Sequence, residues 1–199
     1  MPILINLIAS IFFVLTINTC HSAYDHHTNS YVQEACSVTK YQDLCVHSLA
    51  SFSTTAKRSP SRWARAGVSV AIGEAKSVDL YLIKLKRIKR FQGRRNIVAL
   101  SDCSECFQDA IDRLHGSLGV LRRLNARNFD NEIEDLTTWL SAALTDADTC
   151  LDGFEGQNAE RVQVKVLRNR VIRASYITSN ALALVNKLAG TGIQGLTDP

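Results

Sequence analysis

The sequence predicts an all-α fold, an up-and-down four-helix bundle, on three observations. Glycine and proline are scarce, at ten and three in 199 residues, and with Pro2 and Pro199 at the ends Pro60 is the one proline inside the fold. A strand-rich domain needs turn residues every eight to twelve positions or so, and they are missing. Four stretches carry apolar residues alternately three and four apart, which gathers them on one side of a helix. The connections between these stretches, about six to ten residues, suit antiparallel neighbours. The composition, 46% hydrophobic and 21% charged with a net charge of +4, excludes a collagen-like, low-complexity or wholly disordered chain.

At the N-terminus, Ile3 to Ile17 form an uncharged apolar run followed by the small and polar Thr19, Cys20, His21, Ser22 and Ala23. The run is too short for a membrane span and reads as a secretory signal peptide over 1–23, cut after Ser22 or Ala23, although its first residues lack Lys or Arg. No later run approaches the roughly eighteen apolar residues of a span. The mature protein is therefore expected outside the cell, with no membrane attachment after cleavage.

The folded domain is assigned to 24–190. Its first part, about 30–56, holds two short apolar segments around Cys36 and Cys45 that fold back as a small hairpin if those cysteines are bridged. Ser59 and Pro60 then cap a long helix whose stripe is Ala64, Val68, Ala71, Ala75, Val78, Leu82 and Leu85, with Gly93 marking its end. The second stripe runs through Leu100, Phe107, Ile111, Leu114, Leu118 and Leu121, with Ser104 in the skipped position. The third follows Ile133, Leu136, Leu140, Ala143 and Ala147 into Cys150, with Asn131 and Glu134 placed as a variant capping box. The fourth uses Val164, Leu167, Val171, Ala174, Ala181, Val185 and Leu188, interrupted by Thr178. The Gly-rich tail over 191–199 is expected to fray.

Outside the cell cysteines tend to pair. Loss of Cys20 with the signal leaves Cys36, Cys45, Cys103, Cys106 and Cys150, so at least one is free or pairs with another chain. Spacing alone does not choose the pairs. Cys103 and Cys106 form a C-x-x-C, but a redox pair wants a preceding strand and a zinc site wants a second close pair, neither of which is present.

Catalytic signatures are poor. Ser37 to Lys40 matches S-x-x-K without its companion motifs. Asp112 and His115 have the spacing of a carboxylate-His metal pair, but a di-metal bundle needs two such pairs and further inward carboxylates. No G-x-S-x-G, H-E-x-x-H or glycine-rich phosphate loop occurs. No enzyme activity, cofactor or metal is expected.

Two charged surfaces remain. Lys84, Lys86, Arg87, Lys89, Arg90, Arg94 and Arg95 place seven cations within twelve positions. In a cytosolic protein these would suggest nucleic acid. Behind a signal peptide they suggest an extracellular polyanion such as an acidic polysaccharide, against the plainer reading of a solvated helix end. Glu105, Asp109 and Asp112, spaced four and three, share one side of the second helix, about opposite its apolar stripe, and Gly116 continues that side. That side must face solvent or a partner.

Several motifs together carry a family likeness. The signal peptide, Cys36-x8-Cys45, the run from Ala99 to Leu114 that includes Cys103, Glu105, Phe107, Asp109 and Asp112, and Thr138-Trp-Leu-Ser-Ala-Ala-Leu-Thr145 followed by Cys150-Leu-Asp-Gly-Phe154 resemble the plant invertase and pectin methylesterase inhibitor family. The likeness spans about Val32 to Leu188. It implies bridges Cys36 to Cys45 and Cys103 to Cys150, which would contribute about 2.7 and about 4 kcal/mol in a chain-entropy model, and leaves Cys106 as a spare thiol. It implies a non-enzymatic protein that occludes a carbohydrate cleft, with Glu105, Asp109, Asp112, Thr149 and Asp152 at the enzyme-facing surface. Invertase inhibitors of the family often carry Pro-Lys-Phe before the third helix, where this chain has Arg127-Asn128-Phe129. The segment from Thr138 to Thr145 looks instead like esterase inhibitors. The expected partner is pectin methylesterase in the apoplast or cell wall, with extracellular invertase as the alternative target and binding of acidic pectin by the Lys84 to Arg95 cluster as a third reading.

Overall fold

The structure is a computed structural model that describes residues 30–88, 93–155 and 162–196. No strand occurs among them. A short helix, α1, is described over 30–36 and is followed by α2 (Gln42–Leu49), a 3-10 turn (Ala50–Phe52) and α3 (Ser53–Ala56). Four long helices follow: α4 (Pro60–Lys86), α5 (Arg94–Arg123), α6 (Phe129–Asp152) and α7 (Val162–Thr191). The candidate signal segment 1–23 lies outside the described residues. No helix among those described is long and apolar enough to cross a membrane.

Residue pairs far apart in sequence fix the topology. Asp79 meets Ser104 and Arg65 meets Leu121, so α4 and α5 run antiparallel. Cys103 with Cys150 and Gly116 beside Trp139 do the same for α5 and α6. Tyr81 with Gln163 and Glu74 with Arg173 close the ring between α4 and α7. The result is an up-down-up-down bundle whose shared core contains the four apolar stripes, with Phe107, Leu136, Leu140 and Leu167 almost fully buried. Burial of these stripes drives the packing at about 25 cal/mol per Å² of apolar surface.

The hairpin has a smaller core of its own. Val32, Ala35, Cys36, Cys45 and Leu49 pack on Trp63, Ala66 and Leu184, which belong to α4 and α7. The Cys36–Cys45 bridge closes it. Asn180 of α7, 3% exposed, docks it: its side-chain oxygen accepts from Tyr41 N–H at 3.2 Å and its amide donates to Tyr41 carbonyl at 3.0 Å. A buried amide paired on both sides costs little and fixes the hairpin's position. Tyr41 also stacks on Tyr176 at 3.7 Å.

Helix ends are where the sequence reading needs correction. Gly93 does not end α4, which stops at Lys86 with Arg87 as its cap; Gly93 occupies the N-cap of α5. The Asn131 and Glu134 box is not the start of α6, which begins earlier at Phe129 behind Asn128, with no side-chain cap bond. Phe129 is 5% exposed, and its burial rewards an earlier start. The tail does not fray through its whole length: after Gly192, at φ 63°, residues Gly192–Leu196 form a 3-10 turn. A Cβ on the buried Gly195 would lie 2.9 Å from both Leu188 and Thr191, so the absence of a side chain lets the turn dock. Ser59 caps α4 as expected, its hydroxyl accepting from Arg62 N–H at 3.4 Å.

Candidate functional site

The α5–α6 pair presents the acidic surface. Its register is pinned at one end by Cys103–Cys150, a covalent link across 47 positions. Beside it Gly153 of the α6 cap lies against Ala99, where a Cβ would come within 3.5 Å. In the middle Arg113 of α5 pairs with Asp146 of α6 and reaches Asp109 at 3.8 Å, one turn back on its own helix. About one turn further along α5 the indole of Trp139 lies against Gly116, 3.5 Å from where a Cβ would stand. The pair is therefore clamped from Ala99 to Gly116 of α5 by contacts of four different kinds.

Clamping leaves the outer side of α5 free. Glu105, Asp109 and Asp112 are exposed, and so are Thr149 and Asp152 near the end of α6. By helical spacing, Thr149 continues the α6 edge of Trp139 and Asp146, so both helices contribute to one surface. Glu105, Asp112 and Asp152 have no ion-pair partner among the described residues. Thr149 donates to Thr145 carbonyl at 2.9 Å, which keeps its hydroxyl oxygen available to accept. Gly116, expected to leave backbone open, is partly covered by Trp139.

Beneath the surface Asp146 is half-buried. Burial raises its carboxyl pKa above the ordinary value, and the Arg113 cation and hydrogen bond pull it back in part. Cys106, the free cysteine among the described residues, lies nearby on α5. Its thiol is pushed up by burial first and by the negative charge of Asp146 next, which keeps it protonated and poorly nucleophilic. Sequence reasoning missed Arg113, Asp146 and Trp139. The Asp109 to Arg113 spacing was a readable i, i+4 signal, whereas the partner on α6 was not.

The basic cluster is divided. Lys84 and Lys86 lie in the last turn of α4, where cations complement the helix dipole, with Arg87 at the cap. Arg94 and Arg95 are exposed in the first turn of α5, which contains no acidic residue, so there the charge opposes the dipole. Lys89 and Arg90 lie outside the described residues. No group of three His, Cys, Asp or Glu among the described residues is placed to hold a metal ion. What the α5–α6 face offers chemically is a row of carboxylate and hydroxyl acceptors.

Comparison with known proteins agrees with this architecture. The family model described as plant invertase/pectin methylesterase inhibitor matches residues 30–184. The chain is 47% identical over 165 residues to Pectinesterase inhibitor 6 of Arabidopsis thaliana, covering 83% of this chain and 78% of that protein. It is 34% identical to Pectinesterase inhibitor 9 of the same plant, covering 88% of this chain and 89% of that one. A crystal structure of a mutant pectin methylesterase inhibitor from Arabidopsis superposes with a TM-score of 0.57 at 21% identity, over 76% of this chain and 92% of that one, a likeness of fold.

Proposed function

The chain belongs to the plant invertase/pectin methylesterase inhibitor family and is not an enzyme, and from that premise we propose that it is a secreted inhibitor of pectin methylesterase. It acts in the apoplast by occluding the enzyme's pectin-binding cleft in a 1:1 complex, and so slows demethylesterification of cell-wall pectin. The observation that carries this reading is the exposed row of Glu105, Asp109 and Asp112, with Thr149 and Asp152 beside it, on a helix pair clamped by a disulfide. Of these carboxylates only Asp109 has an ion-pair partner among the described residues, Arg113, and the like charges gathered on one face repel each other, a cost that complementary donors on a partner would relieve. Rigidity matters as well, because a backbone already fixed in helices loses little freedom on binding.

The cleft of an enzyme that works on a uronate polymer accommodates carboxylates. Carboxylates held on α5 offer that cleft the same charge on a surface too large to be processed. The departure at Arg127-Asn128-Phe129 from the invertase-inhibitor tripeptide favours the esterase as target.

Assay of the purified protein against a pectin methylesterase and an acid invertase decides between the targets. The esterase is expected to be inhibited and to co-elute with the protein as a 1:1 complex, and inhibition of the invertase alone rejects the proposal. The double variant Asp109→Ala with Asp112→Ala is expected to inhibit at least about tenfold less well while keeping its helicity, a loss of about 1.4 kcal/mol of binding. Equal potency would remove these two carboxylates from the interface.

A further inference from the structure

We propose that Trp139 anchors the enzyme-facing surface, its indole stacking under a cationic side chain of the esterase between Asp112 and Asp135. This rests on the function proposed above and adds the chemistry that the surface recognises on its partner.

The chain has two tryptophans, and they are used differently. Trp63 is 4% exposed in the hairpin core, and its indole N–H donates to the Lys57 carbonyl at 2.7 Å. Trp139 is half-buried on the outer seam of α5 and α6, and its indole N–H has no acceptor among the described residues. The one buried side-chain polar atom left unpaired among them is Glu132 Oε2, so the Trp139 N–H reaches solvent. The six-membered ring of the indole rests on Gly116, with Cζ3 and Cε3 at 3.5 and 3.6 Å from where a Cβ would stand. Lys40, Arg58 and Arg170 each lie over a tyrosine, whereas no cation or aromatic ring among the described residues lies over Trp139. An indole face attracts cations more strongly than a phenol does.

Charge selects the occupant. Asp112 stands one turn before Gly116 on α5, and Asp135 stands one turn before Trp139 on α6. Because the two helices are antiparallel, these carboxylates bracket the indole from opposite ends. Both are exposed, and neither has an ion-pair partner among the described residues. The cations near them are otherwise placed: Arg113 is engaged by Asp146 and Asp109, and Arg123 lies along Gly119, 3.9 Å from where a Cβ would stand. A guanidinium or ammonium brought by the partner therefore meets a π face and two carboxylates at once. An anionic side chain would be repelled there, and an aliphatic one would leave the carboxylates without a counter-charge. Buried tryptophans of this kind dominate many protein interfaces.

Fluorine NMR of the mature chain labelled with 5-fluorotryptophan, together with inhibition assays of Trp139 variants, tests the assignment. Two resonances are expected, and Trp139→Phe identifies the one that it removes. On addition of the esterase the Trp139 resonance is expected to change its shift while that of Trp63 keeps its own. Trp139→Ala is expected to weaken inhibition at least about tenfold, and Trp139→Phe, which keeps a weaker π face, about threefold. Trp139→Leu, which keeps apolar bulk without a π face, is expected to behave like Ala. If Trp139→Ala fails to fold, the comparison of Phe with Leu carries the same expectation. A Leu variant as potent as the Phe variant overturns recognition of a cation by the ring. Full potency of the Ala and Leu variants, or a Trp139 resonance that stays in place in an inhibited complex, overturns the anchor and leaves the inhibitor reading standing. A wild-type chain that inhibits no esterase overturns both.

Discussion

The α4–α7 and α5–α6 pairs are both antiparallel, yet they are held together and finished in different ways. Between α4 and α7 the seam is close: Gly67 faces Ala181 and Leu184, and a Cβ there would lie 3.2 and 3.0 Å from their atoms. Outside the seam, charge is used internally, since Glu74 accepts from Arg173 at 3.1 Å and Arg170 donates to Ser77 and lies over the Tyr81 ring. Between α5 and α6 a disulfide and a half-buried ion pair do the clamping, and the exposed Glu105, Asp112 and Asp152 are left without partners among the described residues. One pair spends its surface charge on itself, and the other keeps it available. A covalent clamp makes the second arrangement tolerable, because mutual repulsion of carboxylates cannot spread helices that are tied.

The largest expected effect tests that clamp. Replacing Cys103 and Cys150 together with Ser should lower unfolding free energy by about 4 kcal/mol in denaturant titration, with inhibition falling as the acidic row loses its fixed register. A change below about 1 kcal/mol would mean that packing alone holds α5 to α6 and would erase the contrast. Next comes the close seam: Gly67→Val should cost about 3 kcal/mol, since Ala181 contributes backbone that cannot swing aside. Gly116→Ala is the matched control on the other pair. Its Cβ would meet the Trp139 ring at an ordinary 3.5 Å, so the helix should gain about 0.5–1 kcal/mol. If both glycine variants lost stability equally, the two seams would not differ as described.

The smallest effect concerns Asp146. Burial leaves its folded-state pKa above the ordinary 3.8 despite Arg113, so the folded chain holds this proton more tightly than the unfolded chain. Its contribution to stability is fully present below the unfolded value and is lost as pH rises through the raised folded value. Asp146→Asn should therefore flatten the unfolding free energy across that acidic window. The same variant should speed alkylation of Cys106 at fixed pH, because a charge that holds the thiol protonated is gone. An unchanged alkylation rate would separate the two groups electrically.

Much of this was legible locally. Four stripes spaced three and four apart gave four helices because a helical face is a property of neighbouring residues, and the same rule put Glu105, Asp109 and Asp112 outward before any partner helix was known. Ser59 announced the start of α4 through a bond to its own helix. The misread ends share one cause. Gly93, Asn131 and the Gly-rich tail carry only local turn and cap preferences, whereas burial of Phe129 and the docking of Gly195 on Leu188 and Thr191 decide where α6 begins and how α7 finishes.

By itself the sequence determined the all-helical architecture, the outward acidic row and, through its motifs, the family. Tertiary structure alone decided which distant residues meet: Asn180 on Tyr41, Asp146 under Arg113, and Arg62, Arg65 and Arg122 around one cleft. The run from Lys84 to Arg95 is conspicuous because its seven cations fall within twelve positions, while Arg62, Arg65 and Arg122, which line one cleft, are spread over some sixty positions. Helical periodicity is set within a few residues of each position, but the alignment of one helix against another is set by how complete cores interlock, and no local pattern records that register.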